Sequence, residues 1–290
     1  MSSRKRAAWA QWALVGVAMT WGATFVVVQD AVRVMPPMSL LAWRFSLATV
    51  IAVTVCCSTC ASVDLKTWHR GIVLGTILAT AYALQTVSLL NTTATQVGLI
   101  TGLFVVLTPI VAAGTARQLP TSITWLAALF SATGLTLLIV SGSHWQTLGG
   151  VLALGCALMF AIHIVVTDHT VRRSSAASLL AIQLGTCSVL FSLGAVLTDR
   201  LRAPDTPGAW VAIAVTGSVA TCLGYWIQTI AQREISPSRT ALILATEPAF
   251  AAVAGVIFQA DPLTLTGWIG GSIMMLAVMM PNARSRMAVD

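Results

Sequence analysis

The sequence predicts an all-α integral membrane protein with ten transmembrane helices in two inverted five-helix repeats. Three observations lead to this. First, 57% of the 290 residues are hydrophobic and 9% are charged, against about 25% charged in a soluble domain. Such a chain cannot solvate its own surface in water, so the bilayer must be its solvent. Second, apolar runs near the ~20 residues that cross a hydrocarbon core fall near 10–29, 38–57, 71–90, 95–116, 122–140, 148–167, 177–197, 209–231, 237–258 and 264–281. Third, a polar signature occurs twice. Tyr82, Gln85 and Thr86 return as Tyr225, Gln228 and Thr229, 143 residues later. A repeated polar pattern inside apolar helices marks a transporter built from two related halves.

In chain order, Arg4-Lys5-Arg6 precedes the first run. That run is too long for the apolar region of a signal peptide and no small-residue cleavage site follows it, so it is expected to be a retained span. Pro36-Pro37 opens the second span, which ends among Cys56, Cys57 and Cys60. A single C-x-x-C with no second pair and no thioredoxin-like context reads as small apolar side chains at a helix end. With Cys156, Cys187 and Cys222 alone elsewhere, no metal site and no cofactor are expected. The third and fourth spans are joined by the polar bend Asn91 to Gln96, and Pro120 precedes the fifth. Ser141-Gly142-Ser143 separates two repeats, 1–140 and 141–290. In the second, Pro204 through Gly208, Ser236-Pro237 and Asp261-Pro262 punctuate the last three spans.

Lys and Arg set the orientation. With the N-terminus inside, twelve of the sixteen fall on inner segments. Arg33, Arg200 and Arg202 fall on outer loops, and Arg44 lies within a span. Both termini are therefore expected in the cytoplasm, with the chain in a bacterial inner (plasma) membrane as a multi-pass protein. The repeat extends further. Ser39-Leu40-Leu41-Ala42 returns as Ser178-Leu179-Leu180-Ala181, and Trp125 pairs with Trp268. Five spans per half is odd, so the second half enters from the opposite side and a site is expected between the halves near the midplane.

Thr20-Trp21-Gly22-Ala23-Thr24-Phe25 resembles the tryptophan-glycine motif that opens the EamA domain. Leu41-Ala42-Trp43-Arg44-Phe45 resembles its second-span arginine-phenylalanine motif, and Leu84 through Pro109 is similar to its third and fourth spans. Two tandem EamA domains mark bacterial members of the drug/metabolite transporter superfamily, and the chain is similar to the amino-acid and metabolite exporter branch. In the second half Phe160-Ala161-Ile162-His163 stands where tryptophan-glycine would be expected. The resemblance implies a secondary transporter of a small organic substrate, most often exported, with a central cavity lined by spans 1, 3, 4, 6, 8 and 9.

The candidate substrate-binding residues are Trp21, Thr24, Tyr82, Gln85, Thr101, Phe104, His163, Tyr225, Gln228 and Glu247. Tyr82 with Gln85, and Tyr225 with Gln228, share helix faces at i, i+3. Turned inward they line a polar cavity; turned to a neighbouring helix they are interhelical hydrogen bonds. Thr101, Phe104 and Thr108 follow i, i+3, i+7 and mark one face of the fourth span. Phe160, His163 and Thr167 do the same on the sixth. Glu247 is the one acid deep in a span, where a charge is costly unless paired, hydrated or protonated. It could bind a proton or a substrate amine, or satisfy backbone opened by Pro248. His163 is the second proton-coupling candidate. Arg44 reads as structural, its long stem either reaching the outer interface or letting it pair with an acid, and Pro109 and Pro248 read as structural helix breaks. Gly98 and Gly102, spaced by four, suggest close helix approach. Trp9, Trp12, Trp68, Trp145 and Trp210 read as interfacial anchors.

A site rich in aromatics, amides and hydroxyls and poor in fixed charge suits an apolar or aromatic amino acid better than a phosphate. Export of amino acids by alternating access is the leading reading, with the bilayer and a small-molecule substrate as partners and oligomeric state open. Export of cationic drugs, with Glu247 as counter-charge, is the alternative. The chain lacks H-E-x-x-H, G-x-S-x-G and paired intramembrane aspartates, so an enzyme is not expected. Its basic residues are scattered, which argues against nucleic-acid binding.

Overall fold

The computed structural model describes residues 3–60, 63–91, 94–116, 121–139, 147–198, 201–259 and 264–280. The side chains of Cys57 and Cys60, along with Pro120, Ser141 to Ser143, Trp145 and Asp261-Pro262, lie outside what is described. Every element among the described residues is helical. The first half holds α1 (Ser3–Val34), α2 (Pro37–Cys60), α3 (Leu65–Asn91), α4 (Ala94–Gly102), α5 (Phe104–Ala116) and α6 (Ser122–Ile139). The second holds α7 (Thr147–Val171), α8 (Ala176–Thr198), α9 (Pro207–Val215), a π-helical segment (Thr216–Leu223), α10 (Gly224–Ala231), α11 (Pro237–Leu244), α12 (Glu247–Gln259) and α13 (Leu265–Met279). Five stretches are long and apolar enough to cross a membrane: Pro37–Val55, Leu65–Asn91, Thr147–Val171, Ala176–Thr198 and Pro207–Ala231. Ile100–Thr115, Ser122–Leu137 and Leu265–Met279 are shorter apolar helices.

Three of the predicted ranges are interrupted, each for a local reason. Between α4 and α5 the chain tightens at Leu103, whose N–H bonds back only three residues, to Ile100. Within α5, Pro109 has no N–H to give Val105, and the neighbouring Thr108 hydroxyl donates to the Phe104 carbonyl at 2.7 Å. Between α11 and α12 the helix stops at Ala245–Thr246 and restarts at Glu247. Pro248 thus falls in the first turn of a new helix, where its missing N–H costs nothing. Glu247 lies at the positive end of that helix, where a carboxylate is favoured. The third interruption is the π-helical segment, where i→i+5 bonding accommodates an extra residue and shifts which carbonyls face inward.

Helix packing comes in matched pairs. α2 packs on α8 and α6 on α13, equivalents meeting equivalents. α3 packs on α7 as α10 and the π segment pack on α1. α3 meets α8 as the π segment and α9 meet α2, and α4 and α5 meet α7 as α12 and α11 meet α1. This is the contact pattern of two halves related by an approximate two-fold axis. The repeated tyrosines lie on it, since the Tyr225 hydroxyl donates to the Tyr82 hydroxyl at 3.1 Å. Side chains from the predicted inner connectors also meet one another. Arg6 pairs with Glu234 at 3.3 Å, and Arg70 and Arg233 both reach Ser174. At the other end the Trp43 indole donates to the Arg202 carbonyl, and Ser39 accepts from the Arg202 N–H. Trp9, Trp12, Trp68 and Trp210 are exposed on the outer faces of their helices.

The close approaches are not where the Gly98–Gly102 spacing suggested. A Cβ on Gly98 would meet nothing within 4 Å, and one on Gly102 would meet only the Leu135 side chain. Backbone contact occurs instead at Gly22, where a Cβ would lie 2.6 Å from the Glu247 carbonyl, and at Gly134, 2.6 Å from the Gly270 carbonyl. Both positions seat one half's helix on the other's. Gly22→Ala and Gly134→Ala should each cost ~2 kcal/mol by overpacking, read as a lowered detergent melting temperature. Gly98→Ala should be neutral or stabilising by up to ~1 kcal/mol through helix propensity.

Candidate functional site

Of the five buried apolar clusters among the described residues, the two largest meet at the centre. One is built from α1, α5, α7 and α11, the other from α2, α3, α8 and α10. Trp21 and Phe160, which occupy matching places in the two halves, pack against both clusters. The junction is therefore an aromatic layer. The Trp21 ring lies 5.3 Å from Tyr225, Tyr82 lies 5.6 Å from Phe160 and 5.2 Å from Phe45, and His163 meets Tyr225 edge-on at 5.8 Å. Offset and edge-to-face contacts of this kind each add about 1 kcal/mol beyond burial.

Polar groups thread through this layer and bond to one another. The Trp21 Nε1 donates to the Ala220 carbonyl at 2.7 Å, and that carbonyl is presented by the π segment. Gly224 makes room for the indole, since a Cβ there would lie 2.7 Å from Nε1. His163 is 1% exposed and its Nε2 is hydrogen-bonded to Gln183 Oε1 at 3.1 Å. Among the described residues no carboxylate pairs with it. Below this layer Gln228 Nε2 donates to Gln232 Oε1, and Gln232 Nε2 donates to the Ile164 carbonyl at 2.6 Å. The Gln228 Oε1 and Thr167 Oγ1 are buried without a hydrogen-bond partner among the described residues, so a polar guest has two acceptors open to it here.

Of the two placements expected for Arg44, the interfacial one does not occur. The side chain does not reach for the interface but turns inward, 7% exposed. Its Nε donates to Thr221 Oγ1 of the π segment at 2.7 Å, and its guanidinium carbon lies 5.2 Å from the Tyr82 ring centre and 5.7 Å from that of Phe45. A snorkelled arginine would leave the Tyr82 face and Thr221 unengaged. The internal partners, a hydroxyl and two π faces, are instead what satisfies this charge.

The remaining candidates are placed as follows. Thr24 is buried and its hydroxyl donates to the Trp21 carbonyl at 3.0 Å. Gln85 is half-buried one turn beyond Tyr82, with no side-chain hydrogen bond to another described residue. Thr101 is buried against α7, with its hydroxyl 3.9 Å from the Cys156 sulfur, and Phe104 belongs to the apolar cluster of α1, α5, α7 and α11. Glu247 is half-buried beside Gly22, makes no hydrogen bond or ion pair with another described residue, and has Arg44 within electrostatic reach.

Gln183, Gln232 and Thr221 join the layer without having been singled out. Gln232 could have been found, because it follows Gln228 by four residues on one helical face. Thr221 could not, because its inward facing depends on the π segment. Arg44 and Thr221 should be energetically coupled. In a double-mutant cycle with Arg44→Gln and Thr221→Val, read by detergent unfolding, the expected coupling is about 1–3 kcal/mol.

The EamA-like transporter family matches residues 8–140 and 147–282. An uncharacterized transporter of Archaeoglobus fulgidus is 30% identical over 270 residues, covering 92% of this chain and 84% of the relative. The uncharacterized transporter YwfM of Bacillus subtilis is 24% identical over 178 residues, covering 59% of this chain and 58% of that protein. A solved crystal structure superposes with a TM-score of 0.79 at 14% identity, covering 94% of this chain and 96% of that one, which shows a shared fold. With its two matched stretches and its several apolar helices, the chain belongs to the EamA-like transporter family of the drug/metabolite transporter superfamily and is a multi-pass membrane transporter.

Proposed function

We propose that the protein exports small organic metabolites, foremost amino acids with aromatic or apolar side chains, across the inner membrane by alternating access. The chain crosses ten times in two inverted halves, 1–140 and 141–290, with both termini in the cytoplasm. Two features support the crossing pattern: the helix contacts occur in matched pairs, and the connectors predicted to share a side touch one another.

One observation carries the substrate class. The junction between the halves is built from the rings of Trp21, Tyr82, Phe160, His163 and Tyr225 and the amide of Gln183. Among the described residues the cation at this junction is Arg44, and it is already engaged by Thr221 and Tyr82. A phosphorylated substrate would call for several free cations, whereas an apolar amino acid asks for neutral donors, acceptors and ring faces. Substrate enters between the halves from the cytoplasm, the outer ends part, and the inner ends close through contacts such as Arg6–Glu234. A second reading, export of cationic drugs, is favoured by Glu247, which has no ion-pair partner among the described residues.

Counterflow in proteoliposomes distinguishes these. Labelled phenylalanine or leucine offered outside vesicles loaded with the unlabelled amino acid should accumulate. Gln85→Ala and Gln228→Ala should each slow entry by about tenfold, the loss of one well-placed hydrogen bond. Glu247→Gln should leave that exchange intact. Exchange of a cationic dye that is abolished by Glu247→Gln, with no amino-acid exchange, would establish the second reading.

A further inference from the structure

At the end of the molecule that carries Arg6 and Glu234, Lys66, Arg70, Arg173 and Arg233 belong to one group of connectors, and none of them has a carboxylate partner among the described residues. Lys66 and Arg70 lie one turn apart at the start of α3, so they share a face. Arg173 and Ser174 form the turn between α7 and α8, and Arg233 follows α10. Arg70 Nη1 donates to Ser174 Oγ at 2.8 Å and to the Arg173 carbonyl at 3.0 Å, while Arg233 Nη2 donates to the Ser174 carbonyl at 3.0 Å. Two guanidiniums thus converge on one residue and neither is neutralised there. Arg172 and Arg6 differ, each being paired with an acid, Asp168 and Glu234. Asp64 is the acid whose charge Arg70 feels while staying outside any ion pair among the described residues. Its carboxylate accepts from the Thr67 N–H at 3.2 Å, and hydrogen bonding to Thr67, helped by the field of Arg70, holds it below its ordinary pKa. One such charge offsets one of the four cations and leaves the cluster positive.

The surroundings show what would fill it. Leu65, Lys66, His69 and Arg70 line an open cleft. On the same helix Leu65 is 85% exposed, Trp68 49% and Ile72 45%. Lys66 and Arg70 therefore share one face at the end of this membrane-spanning helix, and the exposed Leu65, Trp68 and Ile72 lie on the face beside it. A soluble anion would need only the cations. A molecule with a phosphate at one end and hydrocarbon at the other uses both, its head at Lys66, Arg70 and Arg233 and its chains on the adjoining face of Leu65 and Ile72.

The geometry points to a binding site for an anionic phospholipid of the cytoplasmic leaflet, its headgroup held by Lys66, Arg70 and Arg233. The lipid would bridge α3 of the first half to the α7–α8 turn and the end of α10 in the second. The guanidiniums keep free N–H groups after bonding Ser174, and these suit phosphate oxygens. This inference concerns a site at the end of the helices and does not depend on the transported substrate.

The test uses the full-length protein purified in dodecyl maltoside. Native mass spectrometry and thermal unfolding are read with palmitoyl-oleoyl phosphatidylglycerol, with the matching phosphatidylcholine, and with inorganic phosphate. Phosphatidylglycerol should be retained at about tenfold higher affinity than phosphatidylcholine and should raise the melting temperature, while phosphate should not. Lys66→Gln, an exposed change that leaves packing alone, should weaken phosphatidylglycerol binding about fivefold. Lys66→Gln with Arg70→Gln should remove the preference, and Arg202→Gln at the opposite end should preserve it. Equal retention of the two lipids would overturn the site. So would equal weakening by Arg202→Gln, or a phosphate effect matching that of phosphatidylglycerol, which would assign the cluster to a soluble anion.

Discussion

The arrangement at the centre of this molecule depends on where the buried Arg44 guanidinium finds its partners. A charge at the middle of a membrane helix costs about 3 kcal/mol or more by insertion scales, and no carboxylate bonds to Arg44 within the described structure. Its donor goes to Thr221 and its face to Tyr82. Thr221 points inward because the chain there is π-helical, and the same segment turns the Ala220 carbonyl toward the Trp21 indole. One local departure from α-helical geometry therefore places three elements at once: α1 through Trp21, α2 through Arg44, and α3 through the Tyr82 ring that Arg44 covers. The Tyr225–Tyr82 hydrogen bond closes the set across the two-fold axis.

The two halves share architecture but have diverged in chemistry. Trp21 is matched by Phe160, Arg44 by Gln183, and Thr108 by Glu247, each of the last two preceding a proline-directed break or bend. The first half thus keeps its cation and the second its acid. Gln183 binds His163 within its own half, whereas Arg44 reaches across to the other. Such asymmetry gives a two-fold scaffold a single oriented site.

Much of the architecture was legible from the sequence because lipid imposes it. Every backbone polar group must be satisfied within the chain, so apolar runs of the right length had to be helical, and each of the ten predicted ranges falls on helix or interrupted helix. The tyrosine repeat was legible too, because a phenol in hydrocarbon must find a partner; here each tyrosine is the other's. The facing of individual residues was not. These helices are apolar nearly all round, so no hydrophobic stripe tells Phe104, which joins the apolar cluster, from Phe160, which joins the aromatic layer. Arg44 was misplaced for a related reason. Its spacing from Pro37 fits an interfacial arginine, and nothing in the local sequence announces the π segment that receives it. The Gly98–Gly102 spacing misled because close approach is set by the opposing backbone, which lies at Gly22 and Gly134 instead.

Alternating access of two halves around the Tyr82–Tyr225 axis is the central claim, and distances at the two ends test it most directly. In a cysteine-depleted background, spin labels would be placed at Lys5 and Arg173 at one end and at Val34 and Trp210 at the other. Pulsed electron resonance would then compare the apo protein with protein saturated by a transported amino acid, in nanodiscs. The account predicts opposite changes, one pair lengthening as the other shortens. Distances that move together, or that stay fixed while transport proceeds, would contradict it.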